Sequence, residues 1–520
     1  MTKTLRTLLI VIGIIMLLTI IGFITANYIV KNKAENFLKE RVPAHITVTY
    51  DHLDVKTFSG TITVMGPKVT IANQIDNQKH TQLTAKTFIV EDVSYLDYIF
   101  KKQITIEDIK LLEPNITYFK YNYIKTKDTI RKTPAKLYKP ILIEELSIDN
   151  AEIQIFDDTK DSLFLKASDV TLEIDDVFLS SATLSRKLPI NFSDYNANGK
   201  DIFLKTSPYE NLEIAAFMIE KGQASLDSIT LKTKYSRPAL SKIIQRERDH
   251  FDLKIPGIDI DAFTFGFEKE QLFARSESVT LDSPYLDIFR DKLVQDDSTI
   301  KPLFSKMLRD LNIAFTVKEL KMNNGGITYS EKVKTDNNGG TIDFSKIMAH
   351  ITNVSNTYTS PTTTDISIDA KFMNTAPFKV DWTFDTTNTT DAFLFKASIG
   401  QMPSEELNQF TKPNLNVGLE GRVDQTYFTI SGNNNTSHID MRIKYDNFKV
   451  EIMRNDKSDI NKLLSSIANL FIKEDSNSED GVFNEGSGEV ARDKTKSFFN
   501  YLWLNVAEGL KTALTGGDGK

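Results

Sequence analysis

The chain has 520 residues, 40% hydrophobic and 26% charged, with 15 Pro and no Cys, a globular balance that excludes a disordered or collagen-like protein. Its formal net charge of −7 provides no electrostatic footprint for nucleic acid, which is not expected as a partner. Without cysteine there is no thiol nucleophile, thiolate metal site or disulfide.

Thr7 to Val30 carries no charged residue. As a helix this run would be about 36 Å long, against a bilayer core of about 30 Å. It also lacks the A-x-A-like site of a cleaved secretory signal. Residues 1–30 are therefore expected to be a transmembrane anchor that is not removed. Charge alone does not orient it. Lys3 and Arg6 precede the run, while Lys31, Lys33, Lys39 and Arg41 follow, which by the positive-inside rule leans against export of the body. Residues 31–42, KNKAENFLKERV, read as a juxtamembrane helix stopped before Pro43.

From 43 to 452 the pattern is almost entirely period two. Stretches such as Thr105–Leu111, Ile141–Ile155, Ile366–Phe372, Val380–Phe384 and Met441–Ile452 alternate apolar with polar residues, which predicts half-buried antiparallel strands. A repeat runs through this field. ITIEDIKLLEPNITY begins at Ile104, ILIEELSIDNAEIQI at Ile141 and FTVKELKMNNGGITY at Phe315. Apolar positions superpose without a gap: Ile104 with Ile141 and Phe315, Ile106 with Ile143 and Val317, Ile109 with Leu146 and Leu320, Leu111 with Ile148 and Met322, Ile116 with Ile153 and Ile327. A weaker copy passes through Leu212, Ile214, Phe217, Ile219, Ala224 and Leu226, and a half copy through Val279, Leu281, Pro284, Leu286 and Ile288. Segments from Ala167 and Phe344 follow the second and third copies in similar style. From Ile106 to Ile109, and again from Leu111 to Ile116, the apolar residues change pleat parity. A strand that keeps one face dry through both slips needs bulges or tight bends there. The fold expected is mainly β, a long curled antiparallel sheet or groove built from repeated strand modules.

After 452 the grammar changes. Residues 456–474 place Ile460, Leu463, Leu464, Ile467, Leu470 and Phe471 at helical spacing. Residues 475–492, acidic and rich in Ser, Gly and Asn, read as a flexible linker. Residues 493–514 read as an amphipathic helix with Phe499, Leu502, Trp503, Val506, Leu510 and Leu514 on one face. That stripe is expected to dock on the groove mouth, a partner protein or a membrane.

No catalytic, cofactor or metal signature emerges, and the chain is read as non-enzymatic. The six histidines, His45, His52, His80, His250, His350 and His438, show no H-E-x-x-H pair. No phosphate loop or G-x-G-x-x-G follows a strand. The pairs Asp157–Asp158 and Asp175–Asp176 read as solvated turns before calcium ligands. What remains is the dry face, which must lie against a second sheet, helices or a bound apolar ligand. Its candidate residues are the repeat positions Ile104, Ile106, Ile109, Leu111, Ile116, Ile141, Ile143, Leu146, Ile148, Ile153, Val317, Leu320, Met322 and Ile327.

Taken together, the apolar run, KAENFLKERV, ITVTYDHLDVKTFSGTITV, YLDYIFKKQITIEDIKLLEPNITYF (Tyr95–Phe119) and the later blocks GRVDQTYFTISG and MRIKYDNFKVEIM resemble the AsmA-like family of bacterial envelope proteins. These are relatives of TamB and of repeating β-groove lipid carriers. The resemblance covers most of residues 1–452, and the chain departs from the pattern in its shortness and its helical end with Trp503. It implies a bacterial inner-membrane protein, single-pass, with its bulk in the periplasm. The groove over 43–452 would bind or pass phospholipid acyl chains towards the outer membrane, and envelope partner proteins could meet the C-terminal helix. A non-enzymatic structural or assembly factor with a closed β-sandwich core is the alternative.

Overall fold

A computed structural model describes residues 27–36, 42–124, 137–157, 162–268, 270–453 and 483–515. Of the expected elements, the anchor up to residue 26, part of the juxtamembrane helix (37–41), the helix 456–474 and the linker up to residue 482 lie outside the described residues. The fold is mainly β. It divides into two compact units, one of residues 1–205 with Glu213–Lys221, the other of Thr206–Leu212 with Gly222–Lys520.

The first unit opens with helix α1 (residues 27–36). Strands β1 (Ile46–Thr49) and β2 (His52–Lys56) are two arms of one bent strand. So are β3 (Thr61–Met65) with β4 (Lys68–Ala72), β5 (Lys79–Thr84) with β6 (Thr87–Val93), and β7 (Ile104–Leu112) with β8 (Asn115–Phe119). Then come the long strands β9 (Ile141–Phe156), β10 (Leu163–Leu179) and β11 (Asp194–Lys205). Pairing is antiparallel from β1/β2 through β7/β8 and again from β9 through β11.

Between β7/β8 and β9 the pairing is parallel, and its register is the sequence repeat itself: Ile104 faces Ile141, Ile106 Ile143, Ile109 Leu146, Leu111 Ile148 and Ile116 Ile153. This corrects the all-antiparallel expectation. Two copies of one pattern with kinks at fixed positions can align both their apolar residues and their kinks side by side only when they run the same way.

Both parity slips are shared by neighbouring strands. The three-residue step from Ile106 to Ile109 is matched by Val93 and Val90 on β6, Ile143 and Leu146 on β9, and Val177 and Ile174 on β10. Left-handed residues on the antiparallel neighbours, Asp92 and Asp176, absorb it. The second slip is a line of bends marked by left-handed Gly66, Glu113, Asn150, Asp169 and Asp201. Across this line Gly66 N–H donates to Lys86 O at 2.9 Å, Lys86 N–H to Leu112 O at 3.0 Å and Glu113 N–H to Asp149 O at 2.8 Å. Polar residues tolerate positive φ better than the β-branched residues around them.

Strand β12 (Glu210–Glu220) contributes residues to both units. The second unit continues with β13 (Gln223–Thr233), α2 (Arg237–Ile243), β14 (Asp249–Asp261), β15 (Thr264–Glu268), β16 (Gln271–Asp282) and β17 (Tyr285–Asp291). The weaker repeat copy is thus split over β12 and β13 by left-handed Lys221 and Gly222. Helix α3 (Phe304–Arg309) precedes β18 (Ala314–Lys332), β19 (Gly340–Ser355), β20 (Thr364–Phe372), β21 (Ala376–Phe384), β22 (Phe393–Ile399) and β23 (Met402–Pro403). Helix α4 (Asn408–Leu415), β24 (Val417–Gly432), β25 (Thr436–Ile452), β26 (Asn484–Ala491) and α5 (Phe498–Thr515) complete it.

The half copy again becomes a parallel neighbour of the copy it matches: Val279 faces Leu320, Leu281 Met322 and Leu286 Ile327. Left-handed Asn324, Lys346 and Asn353 on β18 and β19 occupy the repeat positions of Asn150, Asp169 and Asp176. From β18 to β26 the chain is an antiparallel meander.

Residues Asn484–Ala491 form strand β26, which corrects the linker expected up to 492. Gly and Ser favour loops by composition, but Gly486 and Gly488 serve close packing here. A Cβ on Gly486 would fall 2.3 Å from Gly509 O of α5. The helix therefore lies directly on the strand.

Candidate functional site

Register carries the apolar residues of the first unit into rows that cross every bent strand. One row runs Leu53, Val64, Phe88, Leu111, Ile148, Leu172. Another runs Val48, Val69, Leu83, Ile116, Ile153, Ala167. Side chains alternate along each arm of a bent strand, and the line of bends marked by left-handed Gly66, Glu113, Asn150 and Asp169 takes up the odd step between the rows, so both rows follow the same apolar side.

Cover on that face is uneven. Val30 and Ala34 of α1 pack against Leu53, Val55 and Val64, which are 2%, 6% and 8% exposed, and Ile62 and Phe88 pack against the same cluster. Further along the same row Leu111, Ile148 and Leu172 are only half-buried. Of the ten repeat positions in this unit, Ile143 is buried while Ile104, Ile106, Ile109, Leu111, Ile116, Ile141, Leu146, Ile148 and Ile153 are half-buried. The repeat omitted the flanking members Phe88, Val90, Leu172, Ile174 and Val177, although their alternation in TFIVEDV and VTLEIDDV is of the same kind.

In the second unit the corresponding face passes from half-buried to closed. One row runs Leu281, Met322, Ala349, Ile368, Val380, Ala397, Phe428, Met441. Met322 is half-buried, as are Leu320 and Ile327, while Val317 is buried. Val380, Phe428 and Met441 are buried with Phe498 and Tyr501 of α5. The helix presents Phe498, Tyr501, Asn505 and Ala513 inward, with Leu502, Val506 and Leu510 packed at the margin of the same cluster. Phe499 and Trp503 remain exposed. The expected stripe is therefore rotated, and it docks on its own sheet. Buried Asn505 is satisfied: Ser437 Oγ donates to its Oδ1, and its Nδ2 donates to Tyr501 O, both at 2.8 Å.

The opposite, wet face of the first unit carries a laddered row of carboxylates: Glu91, Asp108, Glu145, Asp175 and Asp194. Lys110 Nζ bridges Asp108 at 3.1 Å and Glu91 at 3.2 Å, and the Asp108 carboxylate holds its pKa above the usual value. Partial desolvation, with the charges of Asp108 and Glu173, pushes the Glu145 carboxyl up. A hydrogen bond to Asp92 does the same for Glu107.

Among the described residues no three His, Asp or Glu side chains converge so as to hold a metal ion. The histidines are engaged singly. His80 packs edge-on to Tyr118 and Tyr123, His350 Nε2 lies 2.6 Å from Glu319, and His250 Nε2 lies 2.9 Å from Tyr235 O. A depression of about 250 Å³ between β19 and β22 is lined by His350, Asp365, Ser367, Asp381, Trp382 and Lys396. No helix among the described residues is long and apolar enough to cross a membrane. Comparison of the chain with protein-family models and with curated proteins finds no match.

Proposed function

We propose that this is a membrane-anchored protein of the bacterial cell envelope, its body in the periplasm, that holds or passes phospholipid acyl chains along the apolar face of its bent sheet. It thereby contributes to outer-membrane lipid homeostasis. The observation that carries the reading is the set of apolar rows across β7 to β10, unbroken through two lines of kinks and half-buried rather than closed. A face of aligned Ile, Leu and Val side chains offers acyl chains burial without directional bonds, at about 0.8 kcal/mol per buried CH₂. The charge-free run Thr7–Val30, leading into α1 at one end of this face, would deliver the face to its lipid source. The proposed role is non-enzymatic, and among the described residues the wet face carries local ion pairs such as Lys110 with Asp108 and Glu91.

Native mass spectrometry of the full chain extracted in mild detergent tests this. Co-purified phospholipid is expected, and Ile153→Glu should release it. A lipid-free chain, or lipid retained in the variant, argues against the reading. A second reading, a structural or assembly factor with a closed core, is favoured by the packing of α5 over β24 to β26. Localisation has its own test. Protease added to spheroplasts should digest the body, and protection lost only on lysis would overturn export.

A further inference from the structure

One end of the first unit concentrates exposed apolar side chains on three adjoining loops. The loop between β6 and β7 carries Leu96, Ile99 and Phe100 at 67%, 64% and 78% exposed, flanked by the half-exposed rings of Tyr95 and Tyr98. Phe58, on the turn between β2 and β3, is 81% exposed, and Tyr138, ahead of β9, is fully exposed.

These tips are held in place. Tyr95 Oη donates to Thr57 O at 2.5 Å, and Lys139 Nζ donates to Tyr98 O at 2.6 Å with its charge 3.2 Å above the Tyr98 ring. Within the loop, Thr105 Oγ1 donates to Asp97 Oδ2 at 2.8 Å and Lys101 pairs with the same carboxylate at 3.1 Å. So the loop backbone is fixed while Leu96, Ile99 and Phe100 point to solvent. Lys101 and Lys102 beside them are exposed.

Where the chain enters this end decides what the tips face. Thr57 N–H donates to Asn27 Oδ1 at 2.6 Å, which ties the Phe58 turn to the first described residue of α1. Asn27 lies within the charge-free run Thr7–Val30. Tyr28 and Ile29 on the same helix are also exposed. Aliphatic and aromatic tips rimmed by Lys beside an apolar span are the composition of an interfacial membrane contact. The rings sit at headgroup level and the ammonium groups reach anionic lipid phosphates.

We propose that these loops, led by Leu96, Ile99 and Phe100, dip into the bilayer interface next to the anchor and set the end of the apolar face on the lipid surface. The proposal rests on the anchored reading above. The cysteine-free chain makes the test direct. Single Ile99→Cys, Phe100→Cys and Ile75→Cys variants of the full chain are labelled with an environment-sensitive fluorophore and reconstituted into phosphatidylcholine–phosphatidylglycerol vesicles with brominated acyl chains. All three side chains are already exposed, so folding is not at issue. Labels at 99 and 100 are expected to shift to the blue and lose most of their emission to bromine. The label at 75, on the turn at the opposite end of the same strands, should report water. An unquenched label at 100, or equal quenching at 75, overturns the proposal. A further label at Ile14→Cys separates the two claims. Quenched at 14 but not at 100, only the loop contact fails; quenched at neither, the anchored reading fails with it.

Discussion

Strands β24 to β26 and strands β7 to β10 are written in the same alternating grammar, yet one set is sealed and the other is not. Ile430 and Ile439 are 0% exposed beneath α5. Ile148 and Ile153, equally apolar and equally laddered, are half-buried. Alternation therefore decides which face is dry, and a separate element decides whether that face is closed. In the second unit that element is an 18-residue helix. On the first unit's face, among the described residues, Val30 and Ala34 of α1 pack against the cluster of Leu53, Val55 and Val64 on the first strands.

The largest expected effect sharpens this contrast from its closed side. Ile439→Glu buries an unpaired carboxylate under α5 and should cost roughly 4 kcal/mol or more, read as loss of the cooperative melt of the second unit. Tyr501→Ala removes the largest fully buried side chain among the described residues and should cost about 3–5 kcal/mol. Were α5 a detachable docking helix, as its sequence stripe suggested, the same substitution would leave the melt unchanged.

Ile153→Glu probes the open side, with Gln154→Glu on the wet face as its control. Where water reaches the empty face, the charge should cost only about 1 kcal/mol, while bound phospholipid drops sharply. Collapse of the fold would show that this face is closed like that under α5 and would break the comparison. The kinks are probed by substitutions of comparable size. Asn150→Val and Asn324→Val each force a β-branched residue to positive φ, 55° and 52°, for roughly 1–2 kcal/mol, while Gly at either position should be nearly neutral. Unequal costs would mean that the two repeat copies are not the same device.

Much of this was legible in the residues. The gap-free superposition of Ile104–Ile116 on Ile141–Ile153 is the parallel register of β7/β8 with β9, and the two parity slips are the two lines of kinks. Direction was not legible, because alternation is identical read forwards or backwards and the pairing depends on where neighbouring kinks must align. Nor was β26. Its sequence NEGSGEVA alternates with glycine on the buried side, and glycine signals a turn until a helix is known to lie on it. The helix stripe failed for a related reason. Phe499 and Trp503 are large and apolar but stay exposed, while the side of α5 against the sheet joins Phe498 and Tyr501 to the small or polar Asn505, Ala507, Gly509 and Ala513, which an apolar stripe does not single out. Among the candidate face residues, the repeat found the centre and missed the neighbours, since β6 and β10 continue the rows without repeating the motif.

The smallest expected effect lies on the wet face of the open region. Glu145 stands in the carboxylate row between Asp108 and Asp175, and its pKa is raised, first by partial desolvation and then by its like-charged neighbours. A carboxyl that binds its proton more tightly when folded lowers stability as pH rises above the ordinary carboxylate range, and the penalty is absent below it. Glu145→Gln should therefore stabilise the chain at pH 7–8, with the gain fading as pH falls towards about 4. The side chain is exposed, so screening limits the gain to a few tenths of a kcal/mol, smaller again in high salt. Lys110→Gln should act oppositely, because it strips Glu91 and Asp108 of their shared cation. Melting curves of both variants at pH 5 and pH 8 measure the sign. A Glu145→Gln gain that is larger at pH 5 would show that the row is held by something other than its own charges.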